Sequence, residues 1–515
     1  MAAAAGLGAG AVGLGAAELV AALLGGLGLA ETGEPFAAIG SLAIDLTPGA
    51  VREGVIGLFG TGDKAFLGAV LVAAVLAVGA LAGLAELRRP PLGSAVFAGV
   101  GLLGLVAAVT RADGGALAAL PAVVGAALSI PLLRMLRRRL LEWTQPLGRA
   151  EALLPAPRVL ERRRFLGLLA GAGAGGAVVA VAARGFAVSS GSVASERAAL
   201  RLPDPVSSAP SVPASAELGV DGLASWLTSA AAFYRIDTAL TVPRLATSDW
   251  SLTITGLVDR DVVLGWDELL ALPFVERYIT LACVSNEVGG DLIGNARWLG
   301  VPVRQLLASA GPSAEADMVL SRSVDGFTAG TPLSVLQDEG TDALVAIGMN
   351  GSPLPLEHGY PARLVVPGLY GYVSATKWLT ELKVTSFAAD QGYWVPLGWA
   401  AKGPIKLASR IDTPHEGDSL DAGRVVIAGV AWRQHVGIAA VEVQIDDGDW
   451  QPASLATVVT VDSWLQWSLA WDATAGSHRI RVRATDAEGE VQTAEEAAPA
   501  PDGATGWHTI EVSVG

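Results

Sequence analysis

The sequence predicts a multidomain chain: N-terminal transmembrane α-helices, then an α+β domain, then a C-terminal all-β sandwich. Three observations predict it. The first 187 residues contain long stretches without a charged side chain. From Trp226 to about residue 390, short strand-like and helix-like segments alternate. After about residue 420 only short, partly alternating apolar segments remain, separated by turn residues.

The membrane portion comes first. Of 515 residues, 51% are apolar and only 17% charged, which is rich for a soluble enzyme. Residues 65–85, 92–110 and 114–133 read as bilayer spans, at about 20 residues per helix. Residues 2–30 form another apolar stretch, interrupted by Glu18, which reads as a residue facing a helix partner or an interface. Residues 36–60 carry Asp45, Pro48, Arg52 and Glu53 and read as an external loop or interfacial helix. A fifth span is expected at 166–183, which gives a membrane anchor over 1–187. The segment 134–164 holds nine arginines against three glutamates, so it should be cytoplasmic. Five spans then place everything after Arg184 outside the cytoplasmic membrane. Arg162-Arg163-Arg164-Phe165-Leu166, ahead of a mildly apolar Gly/Ala span, resembles a twin-arginine export signal.

Charge divides the chain in the same place. Residues 1–187 hold 15 basic and 11 acidic side chains, and residues 188–515 hold 20 and 39. An acidic soluble half argues against nucleic acid as a partner. One cysteine excludes an intramolecular disulfide, and the five histidines begin at His358, so no histidine pair can hold a haem in the bilayer.

Residues 188–222 are rich in Ser, Ala and Pro and read as a flexible linker. The α+β domain follows over 223–395 and the β domain over 396–515. Trp250–Gly256 alternates as a strand, and Asp267–Leu272 reads as a short helix stopped by Pro273. Val425–Gly429, Val441–Ile445 and Ile480–Ala484 are short strands of the sandwich.

Cys283 is the chemically pointed residue. A lone cysteine in an apolar run is by default a buried structural residue. This one ends a strand-like Tyr278–Leu281 and opens a polar, Gly-rich loop, Val284–Gly290, where ligands often sit. The segment Thr280–Gly290 with Asn295-Ala296-Arg297-Trp298 resembles the cysteine loop of the sulfite-oxidase family of molybdenum enzymes. So do three further segments in the family's order. Phe233-Tyr234-Arg235-Ile236-Asp237 resembles the start of the catalytic domain. Met349–Pro355, His358–Arg363, Val366–Gly368 and Lys377–Leu379 resemble the pterin-binding stretch. Ile427–Trp432, Val441–Val443, Trp467 and Arg483–Asp486 resemble the immunoglobulin-like dimerisation domain. The resemblance covers roughly 225–515 and leaves the membrane half outside it.

The resemblance implies a molybdenum–molybdopterin cofactor with Cys283 as thiolate ligand of the metal. His358 and Arg363 would contact the pterin and its phosphate, with Lys377 nearby and Ser285 and Asn286 beside the metal. Arg235 would face the oxo-anion, and Tyr393 would be the active-site tyrosine. Trp298 reads as core. The chain departs from the pattern twice: animal members carry a second arginine where this chain has Val288, and the usual histidine after the first arginine is replaced by Asp237.

The implied activity is two-electron oxygen-atom transfer on a small oxo-anion or an S- or N-oxide outside the membrane. The alternatives are an S-oxide or N-oxide reductase of the same fold, or a membrane-tethered binding module with an inactive site. No Cys-x-x-Cys-His or thiolate cluster is present, so electrons must pass to a separate partner or the quinone pool. The other expected partners are a small-molecule substrate, membrane lipid and a second copy, bound through the C-terminal domain.

Overall fold

The computed structural model describes residues 1–26, 39–40, 47, 63–109, 116–144, 156–189, 192–239 and 241–515. Most of the expected external segment 36–60, and residues 145–155 of the basic segment, lie outside the described residues. The chain divides into two compact units, Met1–Ser195 with Thr238–Thr241, and Glu196–Asp237 with Val242–Gly515.

The first unit is helical: α1 (Ala2–Gly26), α2 (Asp63–Arg88), α3 (Leu92–Val109), α4 (Leu120–Thr144) and α5 (Ala156–Ser189). Among the described residues, four stretches are long and apolar enough to cross a membrane: Ala2–Leu24, Phe66–Arg88, Leu92–Val109 and Leu117–Thr144. The expected span 166–183 lies wholly within α5. Glycine sets the packing of α1 in this unit. A side chain on Gly13 would stand 2.7 Å from the Gly125 carbonyl of α4, and one on Gly15 would stand 2.6 Å from Gly176 of α5. Small residues permit such close backbone approach between helices. Glu18 of α1 is buried.

The second unit holds four sheets. After α6 (Ser192–Ala199), residues 200–237 run mostly without regular structure. They are nevertheless tied down, which departs from the expected flexible linker. Val206 N–H donates to the Phe274 carbonyl (2.8 Å), Ser207 pairs with Val275, and Leu218 N–H donates to Gln466 (2.7 Å). The segment's Ser, Ala and Pro content predicted a tether, but the partners that hold it lie far off in sequence.

The strands are β1 (Ser251–Gly256), β2 (Val262–Gly265), β3 (Val275–Ala282), β4 (Ile293–Pro302), β5 (Met318–Ser323), β6 (Thr328–Pro332), β7 (Leu344–Met349), β8 (Ser352–Pro353), β9 (Arg363–Val365) and β10 (Leu379–Thr385). One sheet runs β3-β4-β7-β8 with β9 on β7, and the other runs β2-β1-β10-β5-β6. The pair β1–β10 is parallel. Three short helices cover them: α7 (Trp266–Leu270), α8 (Val303–Ala310) and α9 (Leu333–Gln337). This is the expected α+β texture, and β7 is buried along its whole length.

The β domain has two sheets. One contains β11 (Ala408–Thr413), β13 (Gly423–Trp432), β17 (Leu465–Ala473) and β16 (Ser454–Leu455). The other contains β12 (Ser419–Leu420), β19 (His508–Val514), β18 (Gly476–Asp486), β14 (Ile438–Ile445) and β15 (Gln451–Pro452). Ile427, Trp467, Val441, Val482 and Ile510 meet between them in one core. Facing sheets whose inward residues form a shared core make a sandwich.

The sandwich also pins β3. Thr280 is fully buried; its N–H donates to the Asp462 carbonyl (2.9 Å), its hydroxyl oxygen accepts from Trp464 N–H (2.8 Å), and its carbonyl accepts from Gln434 Nε2 (2.9 Å). That strand ends one residue before Cys283.

Candidate active site

Cys283 follows β3 and is buried, 8% exposed. Its N–H donates to the Leu292 carbonyl (2.9 Å) and its carbonyl accepts from Asn286 N–H (3.1 Å). Asn286 Oδ1 accepts from Leu292 N–H (2.8 Å), so this side chain closes the loop. The far side of the loop leans on the sandwich. Arg410 Nη1 of β11 donates to the Gly290 carbonyl (2.7 Å), and Gly289, at φ +80°, lies flat against the His508 ring, where any side chain would collide. His508 Nδ1 in turn accepts from Ile411 N–H (3.0 Å). Val288 is an exposed loop residue beside Gly506.

Burial pushes the Cys283 thiol above its ordinary range; the Ser285 amide and hydroxyl, Lys377 and the Val284 amide pull it back down. Without a metal, Cys283 is therefore a thiol at neutral pH. Coordination of a metal there must release a proton.

Of the expected set, Lys377 acts on Cys283 directly, and Lys377 and Arg363 both act on His358. Arg363, the first residue of β9, is 3% exposed, with Nη1 donating to the His358 carbonyl (3.1 Å). Its other bonds, to the Leu364 and Ala375 carbonyls, are long at 3.4 Å. The guanidinium carbon stands 5.0 Å from the centre of the Trp298 ring. Among the described residues no carboxylate forms an ion pair with Arg363, and burial pulls its pKa down to about 10. Lys377, 8% exposed, is paired with Asp237 (2.9 Å) and acts on both Cys283 and His358. Arg235 pairs with the same Asp237 oxygen (2.9 Å) and is more open to solvent.

His358 is 4% exposed. Nε2 faces the Ala230 carbonyl at 2.9 Å and must carry the proton there. Nδ1 is then a lone-pair acceptor, buried and without a hydrogen-bond partner. Burial, with Arg363 and Lys377 close by, pulls the ring pKa down to about 4 against the opposing bond to Ala230. With Nε2 on Ala230 and the ring neutral, Nδ1 is an acceptor. It suits an N–H or O–H of a bound group.

The pH consequence can be signed. The folded pKa, about 4, lies below the ordinary value of 6.5. The unfolded chain thus binds the extra proton first as pH falls, and stability is lost between those two values. We expect the cofactor-free chain to lose about 2 kcal/mol from this residue between pH 7.5 and 5. Denaturant midpoints followed by tryptophan fluorescence at the two pH values should show it, and His358→Phe should flatten that part of the profile.

Tyr393 is placed by other contacts. Its N–H donates to the Thr328 carbonyl (2.9 Å) beside β6, and its ring meets Phe327 and Trp394. A different phenol stands near the cysteine. Tyr234 lies in the fields of both Cys283 and Arg363, and burial raises its pKa far above the usual phenol range. It stacks on Phe233 (5.2 Å), whose ring meets Trp298 (5.8 Å) and His358 (5.7 Å). Only its place between Phe233 and Arg235 could have drawn attention to it. Trp298 is core, as expected, yet it also forms the surface under Arg363.

A strand-end cysteine, a neutral histidine and an uncompensated buried guanidinium define a site for an anionic group bearing both a soft metal and hydrogen-bond donors. The comparisons agree. The family model "Oxidoreductase molybdopterin binding domain" matches residues 239–394. Human mitochondrial sulfite oxidase is 29% identical over 289 residues, covering 47% of this chain and 53% of that protein. The uncharacterized oxidoreductase YuiH of Bacillus subtilis is 34% identical over 154 residues, covering 30% of this chain and 74% of that one. Among solved structures, the sulfane dehydrogenase SoxCD of Paracoccus pantotrophus aligns with TM-score 0.48 and 26% identity, over 55% of this chain and 80% of that one. The chain spans about half the length of the animal sulfite oxidases it matches. It belongs to the sulfite-oxidase family of molybdopterin-dependent oxidoreductases, and its cofactor is the molybdenum–molybdopterin of that family.

The residues fit that cofactor on the structure's own terms. The buried Nδ1 of His358 is an acceptor that a pterin N–H would satisfy, and the buried Arg363 is a cation that its phosphate would satisfy.

Proposed function

We propose that the chain is a membrane-anchored enzyme of two-electron oxygen-atom transfer, acting on a small oxo compound beside Cys283. The observation that carries this reading is a buried thiol and a buried cation, without an ion-pair partner among the described residues, both acting on Tyr234. When bound, the molybdenum cofactor supplies the oxygen-atom and electron chemistry. The protein's part is ligation, orientation and charge. Cys283 holds the metal as a thiolate, and its proton leaves on loading. Asn286 and Arg410 fix the loop that aims it. Arg363 would hold the phosphate and His358 Nδ1 would accept from the pterin, while the Tyr234 hydroxyl, kept protonated by burial, would be a donor beside Cys283. Tyr393 keeps the role of active-site tyrosine that the resemblance implies, with Tyr234 as a second phenol beside Cys283. Metal analysis together with a screen of sulfite, S-oxides and N-oxides against artificial electron acceptors and donors tests the reading.

A separate electron-transfer partner or the quinone pool completes the cycle, and the apolar helices attach the enzyme to lipid. The basic residues of 134–164 support a catalytic domain outside the cytoplasm. Export through the Arg162–Arg164 signal fits a cofactor loaded before transport. Changing all three to Lys keeps the charge but removes the guanidinium pattern. We expect residues 200–515 then to stay inside, protected from protease added to spheroplasts; unchanged accessibility would show a plain positive-inside signal.

The C-terminal sandwich is read as the immunoglobulin-like dimerisation domain that the family resemblance implied. Sedimentation of the detergent-solubilised chain should give two copies per particle, and a monomer at micromolar concentration would remove that assignment.

A further inference from the structure

We propose that Asp237 is a specificity-determining residue of this site: its buried carboxylate, shared by Arg235 and Lys377, cancels positive charge and disfavours oxo-dianions relative to neutral oxo compounds. The inference deepens the oxygen-atom-transfer reading and rests on substrate binding beside Cys283.

The geometry supports it in three steps. Asp237 Oδ2 lies 2.9 Å from Arg235 Nε and 2.9 Å from Lys377 Nζ, and Arg235 Nη2 reaches Oδ1 at 3.5 Å. The Asp237 side chain is 6% exposed and that of Lys377 is 9% exposed, so both charges sit in a medium that screens them poorly. The field of Lys377 reaches Cys283 and His358, so this ion pair borders the cofactor site.

A dianion such as sulfite loses a large hydration energy on entry and needs free cationic donors to offset it. Here the carboxylate already takes up donors of both cations and repels a second anion placed against them. A neutral S-oxide or N-oxide needs only a donor to its oxygen and meets no such repulsion. Arg363 is spoken for by the cofactor phosphate, which leaves Arg235 and Lys377 as the cations that Asp237 must hold in check.

The test uses the full-length holoenzyme in detergent, with inorganic sulfate as a dianion probe. Binding of radiolabelled sulfate is measured by equilibrium dialysis for wild type, Asp237→Asn, Asp237→Ser and Asp237→Glu, and molybdenum is assayed separately in each. Removing one charge at this range should tighten sulfate binding at least about tenfold in both neutral variants. Asp237→Glu should restore weak binding. Neutral variants that keep molybdenum and bind sulfate no more tightly than wild type overturn the proposal. So does weaker binding, which would make Asp237 a support that holds Arg235 and Lys377 in position. The Ser variant decides the matter should Asn misfold. Absence of molybdenum from wild type would instead count against the oxidoreductase reading, which the metal assay registers independently of sulfate.

Discussion

Replacing Cys283 with Ala should abolish turnover while the pterin stays bound. The side chain is small, so truncation in its buried setting costs only about 1 kcal/mol of packing. The backbone bonds that shape its loop, to Leu292 and from Asn286, do not involve the sulfur. What disappears is the soft thiolate donor and its electron density on the metal. Outer-shell groups of metal sites typically account for 10–100-fold in activity, so loss of an inner ligand should exceed about a hundredfold. Molybdenum, pterin and turnover measured on one preparation separate the outcomes. Cys283→Ser should not rescue, since a serine hydroxyl is a hard donor that stays protonated. Normal turnover in the alanine variant would remove the assignment of Cys283 as ligand.

Replacing Arg363 with Met should act in opposite directions on the two forms of the protein. In the cofactor-free chain the guanidinium is buried with only carbonyl acceptors, and two of its three bonds are 3.4 Å long. A buried charge without a counter-charge is costly, and an apolar side chain of similar length removes the cost. We expect the cofactor-free melting temperature to rise by about 2–8 °C. Cofactor retention should collapse. Two charge-assisted bonds to a phosphate contribute about 3–6 kcal/mol together, which is on the order of a hundred- to ten-thousandfold in affinity. Pterin fluorescence after denaturation, read beside the melting curve, checks both signs. A variant that keeps its cofactor, or whose cofactor-free form melts much lower, would make Arg363 a structural clamp across His358 and Ala375.

How much of this was legible depends on where each residue's partners lie. Cys283, His358, Arg363 and Lys377 could be picked from ordered local motifs, and the structure brings them together. Alternation and Gly/Pro punctuation located β1, α7 and the strands of the sandwich. Residues 200–222 misled because composition reports only local cohesion, whereas Leu218 and Ser207 find partners on Gln466 and on Glu276 beside Val275. Tyr393 came from a looser motif, and its backbone is held by Thr328 of β6. Tyr234 emerged only when the buried thiol and guanidinium around it were known. The histidine tautomer had no sequence signal at all, because it follows from one carbonyl, that of Ala230.

The bracing of the cysteine loop by the sandwich sets a timetable. Cys283 is made 225 residues before His508, the ring that backs Gly289, and Arg410 lies between them in order of synthesis. At about 5–20 residues per second, the ligand-bearing loop waits on the order of 10–50 s for its backing strand. A metal offered earlier would meet a loop still free to move. We expect insertion of the cofactor to wait until β19 has been made and has docked.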